Sequence, residues 1–366
     1  MKKNCPLKYL LIPFSWIFGS VVFLRNLLFD FHILPVKQYS IPVISVGNIT
    51  VGGTGKTPMV EYLVELLKDE FRLATLSRGY RRKSSGFVLA DNNPSTSQVG
   101  DEPCQIKNKF PGIEVAVDAK RTQGILELIK TVDNLDLVIL DDAFQHRYVK
   151  PGLSILLFDF NQHPGNDHLL PFGRMREPIS SIKRADIIII TKTPPNMDTA
   201  VRDSWIRFLT RHHHQHLFFS YLKYESIKKV FREISDHRKV KTLDPGIHVL
   251  LVCGIAVPGI LKDYISGMTS KITDLFYPDH HHYRKKDIEY IQTVFNRIRS
   301  PEKLILTTEK DSVRFKQFEG IPEEIKKNLF YIPLKMAFHY HEEEEFNHLI
   351  FQYVRKNKRN RVVHPG

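Results

Sequence analysis

The residues best suited to chemistry are Gly55, Lys56 and Thr57, which close the run VISVGNITVGGTGKTP at 43–58. Glycines at 52, 53 and 55 let backbone N–H groups turn toward anionic oxygens with no Cβ in the way. Lys56 adds a point charge for phosphates, and the Thr57 hydroxyl suits a hard cation such as Mg²⁺. Thr50, Val51, Gly52, Gly53, Thr54 and Gly55 would then form the backbone of a nucleotide cradle. A strict G-x-x-x-x-G-K-S/T motif has glycine at 50, where this chain has Thr50. A glycine-rich turn with an incidental Lys-Thr is the plainer alternative.

The other candidates are acids, cations and histidines. Asp141 and Asp142 follow the run Leu135–Leu140, apolar except for Asp136, a pattern that sets one acid near Mg²⁺ and leaves one for substrate or water. A strand ending in a capped turn would explain the same residues less specifically. Arg78, Arg81, Arg82 and Lys83 crowd Gly79 after an apolar run, where parallel sheets bind ligands and guanidinium forks suit phosphate. A solvated basic loop has the same composition. Asp101 and Glu102 open a helix, where carboxylates complement the dipole, so spacing alone favours capping. Arg174, Arg176 and Glu177 lie in the loop Leu169–Pro178. His280, His281 and His282 could hold a metal, act with a carboxylate in proton transfer, or line a surface loop, which is the reading composition favours. His212, His213, His214 and His216 cannot all converge on one ion, because adjacent helical residues point apart.

Positioning these residues requires a sheet. Ile41–Val46 reads as a buried strand, and Met59, Tyr62, Leu63, Leu66 and Leu67 as the apolar face of a helix. Further strands near 73, 113, 135, 153 and 187 spell an α/β fold with a doubly wound, mostly parallel sheet. Ala200–His214 reads as a helix and Leu217–Tyr224 as a strand. A second, smaller α/β domain follows, with strands at His248–Val252, Lys303–Leu306 and, last, Phe330–Pro333, and helices at Val257–Ile265 and Lys286–Ile298. The expected divisions are an N-terminal segment 1–32, a nucleotide-binding domain 33–222, the smaller domain 223–340 and a C-terminal segment 341–366, basic and frayed from Arg355.

Length and composition agree with two ordinary globular domains: 366 residues, 42% hydrophobic and 25% charged. The net charge of +13 calls for an anionic partner. Nucleic acid is the weaker choice, since no helix-turn-helix, zinc-finger or RNA-binding signature is present. Three scattered cysteines, Cys5, Cys104 and Cys253, form no metal or redox pattern and suit a reducing cytosol. At the N-terminus, Lys2, Lys3 and Lys8 precede the apolar run Tyr9–Leu24, which Arg25 closes and Leu27, Leu28, Phe29 and Phe31 then continue. That run is short for a spanning helix, and no small-residue cleavage site follows it. A helix lying in the membrane interface is expected, with a helix packed on the protein's own core as the alternative.

Taken together, the motifs resemble the tetraacyldisaccharide 4′-kinase family of lipid A biosynthesis, membrane enzymes of the P-loop class. The resemblance rests on Leu24-Arg25-Asn26, SVGNITVGGTGKTP (45–58), SRGYRRK (77–83), GDEP (100–103), DDAFQH (141–146), LPFGRMREP (170–178), PDHH (278–281) and TTEKD (307–311), in the family's order. Threonine at 50 is itself a family trait. Ala143 stands where the family usually has glycine, tolerable unless that backbone needs positive φ. The resemblance implies transfer of the ATP γ-phosphoryl group to the 4′-hydroxyl of a tetraacylated glucosamine disaccharide 1-phosphate. It implies Lys56 and Thr57 on phosphates and Mg²⁺, with Asp141 and Asp142 near metal and acceptor. It implies Asp101 removing the hydroxyl proton, partnered by His280 from the other domain. Arg78, Arg121, Gln145, Arg174 and Arg176 are implied for phosphate or sugar contacts. A monomer on the cytoplasmic face of the bacterial inner membrane, peripheral or monotopic, is the expected setting. A membrane-associated P-loop ATPase acting as a switch, and a P-loop enzyme for a soluble metabolite, are the rival readings.

Overall fold

The computed structural model describes residues 6–209, 212–231 and 243–363. Lys2, Lys3 and Cys5, the side chain of Lys8, and the last residues of the basic tail, 364–366, lie outside the described residues. Two compact units emerge. The first comprises Met1–Asn93, Ile106–Leu222 and Met336–Gly366, and the second Pro94–Gln105 and Lys223–Lys335.

The strands are β1 (Val43–Asn48), β2 (Leu73–Ser77), β3 (Val88–Leu89), β4 (Glu114–Val117), β5 (Leu137–Asp141), β6 (Leu153–Asp159) and β7 (Ile187–Thr191). They continue as β8 (His216–Tyr224), β9 (Lys228–Lys229), β10 (His248–Cys253), β11 (Ile272–Phe276), β12 (Lys303–Thr308), β13 (Leu329–Ile332) and β14 (Leu334–Phe338). A nine-stranded sheet runs β14-β8-β7-β6-β1-β5-β2-β4-β3. Its neighbours from β8 to β4 pair in parallel, and β3 is antiparallel to β4. Such a sheet is covered on both faces, so its strands read as unbroken apolar runs. On one side Ala74, Leu76, Val138 and Leu140 pack together, and another cluster joins Leu156, Phe158, Ile188 and Ile190.

The second unit holds the sheet β11-β10-β12-β13-β9. Alternate β10 residues divide between its faces: Leu250 and Val252 pack with Ile291 and Phe295, while Val249 and Leu251 pack with Leu261 and Ile265. That period of two follows from the strand geometry.

Three segments depart from expectation. Phe330 does not begin the last strand, because β14 follows it. The C-terminal segment forms a helix, Glu342–Val363, that runs through Arg355 instead of fraying there. Four glutamates open it, matching the helix dipole, and Phe346, Ile350 and Val354 are fully buried at intervals of four. The helix expected over Ala200–His214 ends at Phe208.

At the N-terminus a helix spans Ile12–Asp30. Pro13 sits in its first turn, where no intrahelical N–H is lost. The helix runs on through Arg25, whose guanidinium meets the buried Glu177 carboxylate at 3.1 Å. The apolar stretch therefore extends over Tyr9–Asp30, 22 residues, long and apolar enough by length and composition to cross a membrane. Only 11% of its most apolar window is buried, and Phe14, Trp16, Ile17, Val21, Phe23 and Leu24 are exposed.

Candidate active site

In the first unit, β1 runs directly into the glycine loop, and Gly55 caps the helix Lys56–Leu67 in a left-handed conformation, φ 86°. A β-carbon there would be strained, so the glycine frees the first N–H groups of the helix to face an anion. Two side chains fix the loop from beneath. Asn48 Nδ2 donates to Thr54 Oγ1 at 2.8 Å, and Thr191 Oγ1, at the end of β7, donates to the Thr54 carbonyl at 2.8 Å. Thr50 forms an antiparallel bridge with Met175, flanked by Val51 N–H to Arg174 O (2.7 Å) and Arg176 N–H to Ile49 O (2.6 Å). Extended backbone suits a β-branched residue, which accounts for threonine where a stricter loop has glycine.

Lys56 Nζ lies 3.5 Å from Asp142 Oδ1, and Arg176 Nη1 donates to both Asp142 oxygens at 3.1 Å. Burial would raise the Asp142 carboxyl, but Lys56 and Arg176 outweigh it and hold the group below the usual carboxylate range. Asp142 occupies the left-handed region, φ 49°, a costly conformation for a non-glycine residue. Ala143 does not, so alanine meets no backbone obstacle there. Asp141 ends β5 in register with Val46 of β1 and is buried. Arg121 is buried beneath it, donating to the carbonyls of Asp118 (2.6 Å) and Asp141 (3.2 Å). Burial lowers its guanidinium to about 10 despite the nearby Asp141 and Asp142. Gln145 Nε2 donates to Asn48 O at 2.7 Å. His146 is pushed down to about 4 by burial and by the charge of Arg121. Thr57 is half-buried in the first helical turn, Arg78 is exposed after β2, and Arg174 pairs with Asp167 at 3.0 Å.

The loop carrying Arg176 also grips the apolar helix. Ser15 Oγ donates to Leu169 O at 3.1 Å and accepts from Phe172 N–H at 2.9 Å, and Glu177 joins Arg25 to Arg184.

Asp101 and His280 are not divided between the units as sequence order suggests. Pro94–Gln105 clusters with the second unit, and there Asp101 Oδ2 lies 2.9 Å from His280 Nδ1. The supporting residues come from the C-terminal edge of the second sheet. His280 lies in the turn after β11, and the helix Glu309–Lys316, capped by Thr308 of β12, brings Lys310 and Arg314. Arg314 Nη2 donates to Asp101 Oδ2 at 2.6 Å, and Lys310 Nζ lies 3.2 Å from His280 Nε2. Lys310 lies in the TTEKD motif, but neither it nor Arg314 was assigned a role from sequence; the spacing of Asp311 and Arg314, three apart on one helix, signalled only their own pair.

Comparison with known proteins decides the family. Residues 7–355 match the family model of LpxK, tetraacyldisaccharide-1-P 4′-kinase. The chain belongs to the tetraacyldisaccharide-1-phosphate 4′-kinase family. It is 44% identical to the tetraacyldisaccharide 4′-kinase of Parabacteroides distasonis over 97% of this chain and 96% of that one. It is 41% identical to that of Bacteroides thetaiotaomicron, covering 96% and 94%. Among solved structures it resembles an "apo"-form LpxK from Aquifex aeolicus crystallised with ATP, with a TM-score of 0.73, 28% identity and coverage of 95% and 99%.

Proposed function

We propose that the protein transfers the γ-phosphoryl group of ATP to the 4′-hydroxyl of a tetraacylated glucosamine disaccharide 1-phosphate, at the cytoplasmic face of the inner membrane and as a monomer. Besides family membership, the reading is carried by one observation: the loop that brings Arg176 to Asp142 and Lys56 also binds the exposed apolar helix. A phosphate site and a lipid-facing element thus share one support. Phosphoryl transfer depends on positioning and charge neutralisation more than on covalent chemistry. Backbone N–H groups of Thr50 to Gly55, with Lys56, would cradle the phosphates. The oxygens of Thr57 and Asp141 make a hard donor set, and a magnesium ion held mainly by phosphates needs only one or two carboxylates. When bound, Mg²⁺ would neutralise charge on the phosphate oxygens.

Asp142, held ionised by Lys56 and Arg176, keeps those two cations oriented. Arg78, Arg174 and Arg176 would meet phosphate or sugar oxygens. Arg121 and Gln145, whose side chains hold the carbonyls of Asp141 and Asn48, would position the two strand ends. Asp101 and His280 together would take the proton of the acceptor hydroxyl, a poor nucleophile near neutral pH. The test is incubation of the enzyme in detergent micelles with labelled ATP and the tetraacyl disaccharide 1-phosphate. Label appearing in a bisphosphorylated lipid is expected. Release of free phosphate with no labelled lipid would point to a membrane ATPase switch and overturn the reading.

A further inference from the structure

The end of β10 differs in chemistry from the other strand ends. β2, β5, β7 and β12 run straight into Arg78, Asp142, Lys192 and Glu309, whereas β10 runs into GIAVPGIL (254–261), which carries no charged or hydrogen-bonding side chain. Such a loop should turn its side chains inward, yet Val257 is 60% exposed and Ile260 55%. The helix that follows, Gly259–Ser266, divides its apolar residues between two faces. Leu261 and Ile265 are buried with Val249 and Leu251 of β10, while Ile260 and Tyr264, one turn apart, share the exposed face. The Tyr264 ring packs on Tyr224, with centroids 4.1 Å apart, which fixes one end of that face. A single exposed aliphatic residue is ordinary, but a contiguous group at a ligand-binding edge marks a contact surface.

The topology of the second sheet makes this edge a ligand-binding one. β10 pairs in parallel with β11 on one side and with β12 on the other, so the chain reverses direction across the sheet between them. In an open parallel sheet the ligand crevice opens at that reversal, outside the carboxyl ends of the two strands. Here Asp101, His280 and Lys310 make a polar side, and the loop after β10 makes an apolar one. Backbone hydrogen bonds join the two sides: His280 N–H donates to Gly254 O at 3.2 Å, and Gly254 N–H donates to Asp311 Oδ2 at 2.9 Å. A molecule with a hydroxyl group close to a hydrocarbon chain would satisfy both at once.

We propose, resting on the kinase reading above, that Val257, Ile260 and Tyr264 seat an acyl chain of the lipid acceptor. The second unit then selects an acylated sugar as well as acting on its hydroxyl. A bilayer or a second copy of the chain would also cover these side chains, but an acyl chain is the hydrocarbon that the reaction itself brings to this edge. A bilayer-binding helix is flanked by free cations. This one has Lys262, already paired with Asp274, and the exposed Asp263.

The test compares the full-length wild type with two double variants in detergent micelles and labelled ATP. One variant carries Val257→Ser and Ile260→Ser, the other Val257→Leu and Ile260→Leu. With the tetraacyl disaccharide 1-phosphate, the serine variant should raise KM for the lipid about tenfold, the order expected when aliphatic side chains lose hydrocarbon contact. Its kcat and its KM for ATP should change little, and the leucine variant should keep the wild-type KM. With an acceptor whose four acyl chains are cut to acetyl groups, the difference between serine variant and wild type should disappear. Both side chains are exposed, so the melting temperatures should coincide. An unchanged KM for the tetraacyl acceptor, or an equal rise on both acceptors, would overturn the proposal. Weaker binding of the serine variant to phosphatidylethanolamine–phosphatidylglycerol vesicles without acceptor would give the face to the bilayer and overturn it too. So would a wild-type dimer, seen by sedimentation, that the serine variant lacks. A wild-type enzyme that labels no lipid of either kind would remove the kinase reading itself, a result distinct from all of these.

Discussion

The two chemical clusters are built in opposite ways. In the first unit a single contiguous stretch, from β1 through the glycine loop into a helix, would make most of the proposed phosphate site from backbone, with side chains added to neutralise charge. In the second unit no stretch of chain makes the site. Asp101 lies 179 positions from His280 and 213 from Arg314, and all three meet only when the sheet β11-β10-β12-β13-β9 is formed. A backbone site depends on local conformation, while a side-chain network depends on tertiary placement. The two should therefore fail differently when altered.

The largest effect is expected in the second unit. Asp101→Asn and His280→Ala should each slow phosphoryl transfer by ~10²–10⁴-fold, the usual contribution of a positioned acid–base group. ATP affinity, measured by calorimetry on the same proteins, should be unchanged. If either variant lost ATP binding to the same degree as activity, the division of tasks between the clusters would be wrong. If both kept full transfer rates, the pair would be structural.

Next comes Lys56→Ala in the first unit, with a loss of ~10²–10³-fold, typical of removing one charge-stabilising donor. Here the division predicts a different signature. ATP affinity should fall along with kcat, because the lysine acts on the nucleotide both before and during transfer. The substitution also removes one of the cations that hold Asp142 ionised, leaving Arg176 and, farther off, Arg121. A variant that lost kcat while binding ATP normally would place Lys56 with the second cluster in function.

This asymmetry also explains what could be read from the sequence. The cradle, the strand ending in Asp141 and the alternation of strands and helices are local patterns, and each is legible one window at a time. The second cluster was not. Asp101 taken alone is an acid in the first turn of a helix, and His280 is one of three histidines in a polar loop. Only the family resemblance paired them, and it did not assign Asp101 to its unit or reveal Arg314. The edge strand β11 escaped for a related reason, since its half-exposed ITDLF sequence lacks the unbroken apolar run of a central strand. The helix Glu342–Val363 was missed altogether: four glutamates at one end and a basic tail at the other hide the buried Phe346, Ile350 and Val354 between them.

The smallest effect compares one histidine in each unit. His280 sits between Asp101 and Lys310, whereas His146 in the first unit is kept neutral by burial and by the cation of Arg121, which bring it down to about 4 from an ordinary 6.5. A depressed imidazole means that the unfolded chain binds a proton between those values and the folded chain does not. Stability should therefore rise with pH across that window and be lost as pH falls from about 6.5 toward 4. Because the ring is only partly buried, the loss should be on the order of 1 kcal/mol, below what the full shift would give. Denaturant titrations of wild type and His146→Asn at pH values spanning the window measure it, and the variant should show the flatter profile. An equal slope in both proteins would mean that His146 is as free to take a proton in the folded chain as in the unfolded one, and the contrast between the two histidines would disappear.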